Sequence, residues 1–248
     1  MKRPLRYFLS AATAALSLAC AKSDRPVKTT SDEGVSTSPA ASVEKAKGLS
    51  LVRVVNAVNG GRDISVELGG QPLFAAVKAE AVSDYKEVGV NLAKFAIRVQ
   101  GGDASGMLLA EKDRILMDGN RYTVFLVEDD SSRRSLQIVK DNVIADSGKA
   151  RIRVFHAALI DRPLDVSIAG AKDKLFTNVK FKTADGFADV MPGAVTIEFR
   201  GTNETKVLLS IPRLDLKRGT ATTIVVSGTR TLKYFTFTDA AMAPPATP

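Results

Sequence analysis

The chain has 248 residues, 45% of them hydrophobic, which is enough to form one or two domains with real cores. Lys and Arg number 35 against 27 Asp and Glu, a formal charge of +8, but the two signs are interleaved. There is no basic run and no platform of stacking aromatics, so nucleic-acid binding is disfavoured, and no apolar run reaches the roughly 18 to 20 residues of a membrane-spanning helix.

The first twenty residues read as a leader. Lys2, Arg3 and Arg6 give a positive start, and Tyr7 to Ala19 is a short run of apolar and small residues. It ends Leu16-Ser17-Leu18-Ala19-Cys20, which resembles the processing site of bacterial lipoproteins, with Cys20 as the lipidated new N-terminus. Ala19-Cys20-Ala21 also has the small-x-small form of an ordinary secretory cleavage site, so a soluble periplasmic or secreted chain is the alternative. Cys20 is the sole cysteine, and the folded part therefore holds no disulfide. Cleavage before Cys20 removes three of the 35 basic residues and none of the 27 acidic ones, leaving +5.

Residues 21–48 are rich in Ser, Thr, Pro, Ala, Lys and Glu and have no aromatic residue, the composition of a disordered tether. From there the chain repeats itself. Arg53, Val54 and Ala57 recur as Arg153, Val154 and Ala157, and Asp63-Ile64-Ser65-Val66 is matched to Asp165-Val166-Ser167-Ile168. Tyr85 matches Phe187, Ile97 and Val99 match Ile197 and Phe199, and Thr123-Val124-Phe125 matches Thr223-Ile224-Val225. Such self-similarity marks one structural unit used twice, here at 49–142 and 149–239, with a linker at 143–148 and a disordered tail at 240–248.

Period-two alternation, as in Val52, Arg53 and Val54 or in Ile64, Ser65 and Val66, predicts strands with one buried and one wet face. Tyr122 to Val127 is more continuous and predicts a strand buried on both faces. Gly-rich turns separate the strands, and Pro212 inside a strand-like run marks an edge. Ala75 to Val82 has helix propensity, yet its partner Thr177 to Ala184 is strand-like, which favours strand or loop. The expected fold is all-β: two tandem antiparallel β-sandwich domains, immunoglobulin-like or transthyretin-like.

The repeats resemble a bacterial cell-envelope family, the domain of unknown function 4397. The likeness rests on Arg153-Val154-Phe155-His156-Ala157 followed by Asp165-Val166, on Pro192-Gly193 before a strand, and on Gly119-Asn120-Arg121-Tyr122-Thr123-Val124. Asn56 stands where the first repeat should carry His, and Thr222 where the second should carry Tyr. The resemblance implies extracytoplasmic β-sandwich modules, often in tandem and on lipoproteins, and brings no activity.

Candidate chemistry is sparse. His156 is the only histidine, which leaves no multi-histidine metal site, and Asn56 fills its place in the other repeat. A hydrogen-bonding side chain at a strand end explains both. Asp63 and Asp165 read as a turn or strand-capping pair. Glu128-Asp129-Asp130-Ser131-Ser132 lacks calcium-loop spacing and reads as a hairpin turn. No catalytic residue, metal or cofactor is expected. The chain reads as a non-enzymatic, lipid-anchored module of the cell envelope, most simply at the outer membrane, whose partner is an envelope protein. The alternative is a glycan or peptidoglycan ligand bound by sandwich loops or by the groove between the repeats.

Overall fold

The computed structural model describes residues 48–141 and 148–240. The expected leader with Cys20, the expected tether as far as residue 47, residues 143–147 of the expected linker at 143–148 and residues 241–248 of the expected tail lie outside the described residues, as does residue 142. The described residues contain seventeen strands and no helix, hence no helix long and apolar enough to cross a membrane. β-Branched and aromatic residues are frequent in the strands, most of all in β8 (Arg121–Glu128) and β16 (Thr220–Ser227), and glycines occupy many of the tight turns. Gly69 and Gly70, both at positive φ, close the two-residue hairpin between β2 (Ile64–Leu68) and β3 (Gln71–Val77).

Each repeat forms two sheets. In the first, an inner sheet carries β1 (Leu49–Asn56), β4 (Ala81–Val82), β5 (Lys86–Gly89), β8 (Arg121–Glu128) and β9 (Arg134–Lys140). An outer sheet has the order β3-β2-β6-β7, with β6 at Asn91–Val99 and β7 at Leu108–Leu116. The second repeat matches it. Its inner sheet is β13-β10-β16-β17 (Ala188–Val190, Ala150–His156, Thr220–Ser227, Lys233–Ala240). Its outer sheet is β12-β11-β14-β15 (Lys174–Val179, Leu164–Ile168, Gly193–Gly201, Val207–Leu216). The segment of ambiguous propensity is strand over Gln71–Val77 and again over Ala81–Val82. Pro212 lies on β15, an edge strand, as the missing N–H requires.

Pairing is antiparallel except at one place in each repeat, where β1 runs parallel to β8 and β10 parallel to β16. Alternation reports which face a residue occupies and carries no information on strand direction. The chain leaves the inner sheet for the outer one, returns, leaves again, and comes back alongside β1 in the same sense.

The expected equivalence of Asp63 with Asp165 is not what the hydrogen-bond register shows. Gln100 donates its N–H to the Asp63 carbonyl, and Thr202 donates its N–H to that of Pro163. Ser65 stands opposite Arg98, and Asp165 opposite Arg200. Asp63 therefore corresponds to Pro163, and Asp165 to Ser65. A shift of two residues keeps every side chain on its own face, so a period-two pattern cannot detect it.

Each sandwich has its own core, Val52, Val54, Phe95, Ile97, Val124 and Leu126 in the first and Ile152, Val154, Ile197, Phe199, Ile224 and Val226 in the second. The opposite faces of the inner strands form a third cluster that joins the repeats: Val55, Ala57, Phe125 and Val127 against Phe155, Ala157, Val225 and Phe237. The Phe125 and Phe155 rings stack 3.8 Å apart and 3° from parallel. The described residues thus make four layers, outer, inner, inner, outer, and the faces read as wet are buried between the repeats.

Arg53 and Arg153, only 4% and 1% exposed, sit on those faces. Arg53 donates both terminal nitrogens to Asp239, at 2.7 and 2.6 Å, and its Nε to Thr123. Arg153 mirrors it, donating Nη2 to Asp141 at 2.7 Å and Nε to Thr223. Asp141 also accepts from Thr123 and Tyr85. Burial and the Asp141 charge push the Tyr85 hydroxyl far above its usual range. The Arg53 guanidinium lies 4.4 Å from the Tyr85 ring, and that of Arg153 lies 4.5 Å from Phe187. Each repeat's arginine therefore binds the other repeat's aspartate. Such paired, fully hydrogen-bonded charges are the form in which ions tolerate burial.

Candidate functional site

Like ends of the two sandwiches lie together. At the end where the chain enters, Arg121 reaches the Ala240 carbonyl at 3.4 Å. At the far end Ser227 donates to Glu80 at 2.7 Å, and Lys182 pairs with Asp129 at 3.5 Å. Glu80 and Lys182 both hold left-handed φ (51° and 63°).

A groove of about 890 Å³ opens at that far end. Asp129 and Asp130 of the β8–β9 hairpin form one wall. Leu159, Ile160 and Asp161 from the loop after β10, with Phe181 and Lys182 after β12, form the other. The lining mixes apolar side chains with charges of both signs. Asp129 caps its own hairpin by accepting the N–H groups of Ser131 and Arg133. Desolvation raises its pKa, but the Arg133 bond and the Arg133 and Lys182 charges outweigh this and hold it below its ordinary value. A smaller cavity of about 280 Å³ lies at the same end of the first sandwich, between Asn56, Ile64, Met107 and Leu126.

Three of the four residues singled out from the sequence build this end. His156, fully buried, places Nε2 3.3 Å from the Arg162 carbonyl, and Asn56 donates Nδ2 to the Arg62 carbonyl at 3.0 Å. Both clamp the loop that follows their strand. The His156 ring also meets Phe181 of the groove wall edge-on at 6.0 Å. Asp165 accepts from Lys174, the Asn178 and Asn203 N–H groups and Thr202. Burial alone would raise its pKa, but these bonds depress it. Asn178 and Asn203 both hold left-handed φ, so Asp165 fixes a bulge in β12, on the groove wall, and the turn at Asn203. Asp63 enters through its carbonyl, which accepts the Gln100 N–H, consistent with its different register. Leu159, Ile160, Phe181 and Lys182 were not picked out from the sequence, because loop residues carry no periodicity. The one available signal for the junction was Arg recurring in mid-strand in both repeats.

Burial lowers the His156 pKa, the Arg162 bond opposing this, so the folded chain holds the ring neutral with its proton on Nε2. The unfolded chain takes up a proton below about pH 6.5, and folding stability is then expected to fall as pH drops through and below that value. With one histidine in the chain, His156→Asn, the residue of the first repeat, should flatten this dependence between about pH 6.5 and the onset of carboxylate titration. Urea midpoints at pH 7.5 and 5.5 test it, and an unchanged slope in the variant would show that the imidazole is not held neutral.

Among solved structures, the chain is similar to candidate cell adhesion proteins of Bacteroides ovatus (10% identity, TM-score 0.27, 80% of this chain and 98% of that one) and Bacteroides uniformis (9% identity, TM-score 0.27, 80% and 99%). No curated protein matches. The family pattern of the domain of unknown function DUF4397 matches the chain twice, over residues 50–167 and 160–248. The chain belongs to that family and carries two tandem copies of its domain.

Proposed function

We propose that this is a non-enzymatic interaction module of the cell envelope, anchored through Cys20 and presenting the junction groove to an envelope partner. The observation that carries the reading is placement. The chain enters at Gly48, next to Val90 and Asp118, whereas the groove lies at the opposite end of the strands. The eight residues of β1 separate the two by roughly 25 Å. A tethered domain would thus offer its groove away from its attachment. His156, Asp165, Arg53 and Arg153 are all engaged in holding the structure, which suits a rigid binding surface better than a reacting centre.

Two measurements test this. The intact mass of the mature N-terminus from a native-type host should show a diacylglyceryl-modified Cys20, and Cys20→Ser should lose both that mass and the membrane association. An unmodified chain in the medium would overturn the anchor. For the groove, crosslinking in the envelope should recover a protein partner, lost at least tenfold with Lys180→Glu and Asp130→Arg, two exposed wall positions. Recovery unchanged in these variants would move the partner site elsewhere. Saturable binding of purified envelope polysaccharide, sensitive to the same changes, would assign the groove to a glycan instead.

A further inference from the structure

Large apolar side chains are rarely left mostly in water at neighbouring positions without a use. Leu92 and Ile115 are cross-strand partners on β6 and β7, yet they are 69% and 65% exposed, and Met117 beside them is 62% exposed. The three line a shallow depression of about 450 Å³ together with Arg114, Lys140 and one acidic residue, Asp113. In the second repeat Met191, 75% exposed, stands between Val190, opposite Ala150, and Gly193, opposite Leu216. That is the corresponding end of its sandwich, and like ends lie together. Lys217 and Arg218 in the neighbouring β15–β16 turn are also exposed. Leu49, at the point where the chain enters, completes the set.

We propose that this end of the molecule is a lipid-contacting surface. Its apolar residues insert shallowly at the headgroup boundary, while Arg114, Lys140, Lys217 and Arg218 face anionic phospholipid. The occupant follows from where the chain enters. Gly48 hydrogen-bonds on this same end, and 27 residues lie between it and Cys20. A linker of that length reaches at most about 95 Å. An anchor at Cys20 would hold this face near the bilayer at an effective concentration on the order of millimolar. A weak contact would then be occupied most of the time and would orient the groove outward. The inference draws on the anchored reading for its occupant, but its test does not need the lipid.

The test uses the leaderless chain 20–248 carrying Cys20→Ser, because every described strand finds its partners within residues 49–240. This chain should float with vesicles of phosphatidylethanolamine and phosphatidylglycerol. Leu92→Glu with Ile115→Glu should lower the bound fraction at least tenfold without moving the urea midpoint. Val207→Glu with Tyr234→Glu, exposed positions at the other end, should leave binding unchanged. No flotation, or flotation indifferent to the Leu92 and Ile115 changes, overturns the proposal. So does a concentration-dependent dimer abolished by the same changes, which would assign the face to a second copy. Because the probe carries no lipid, a negative result leaves the Cys20 mass test standing, and the reverse also holds.

Discussion

Asp141→Ala is expected to destabilise the protein by about 3–5 kcal/mol, because it strands a buried charge. Arg153, 1% exposed, pairs with Asp141 at 2.7 Å and Arg53 lies 3.9 Å from the same carboxylate, and Thr123 and Tyr85 would lose their acceptor as well. Asp239→Ala should cost less. Its carboxylate is 21% exposed, so water can replace it at Arg53. Combining Asp141→Ala with Arg153→Met should recover much of the loss, since removing both charges removes the desolvation cost along with the attraction. Urea denaturation of the two single variants and the double variant measures this coupling. A loss below about 1 kcal/mol in Asp141→Ala would mean that the junction admits water and that the pair behaves as a surface one.

Phe155→Ala should cost about 3–5 kcal/mol, the range for deleting a buried aromatic and leaving a cavity. The side chain is fully buried, yet it belongs to the cluster between the repeats and to neither sandwich core. Its removal empties one half of the stacked pair with Phe125 while Ile152, Val154, Ile224 and Val226 keep their own packing. The expected signature is therefore a lower midpoint together with a broadened or split transition, as the two sandwiches lose their coupling. Phe155→Leu, which keeps most of the volume, should cost under about 1.5 kcal/mol. A single sharp transition with an undiminished midpoint in Phe155→Ala would show that the sandwiches are stable without the junction.

Both predictions concern residues whose importance the sequence expressed only indirectly. Alternation in Leu51 to Asn56 and its partner strand identified the core face correctly, because burying Val52 and Val54 imposes a period of two whatever lies on the other side. The same alternation made Arg53 and Arg153 look solvated, since a charge in mid-strand reads as wet until a partner for it is known. Those partners, Asp239 and Asp141, lie 186 and 12 residues away. The groove was out of reach for a similar reason. Its walls come from a hairpin of one repeat and two loops of the other, and loop residues have no period to reveal their position.

What the sequence determined by itself was the class of fold, the use of one unit twice and membership of the family, all of which rest on local pattern and repetition. Tertiary structure decided the parallel pairing of the first strand, the two-residue register that separates Asp63 from Asp165, and the burial of the inner faces against each other. Each of these depends on which segments meet in space. A period-two pattern is unchanged by reversing a strand, by sliding it two residues, or by covering its second face with another sheet.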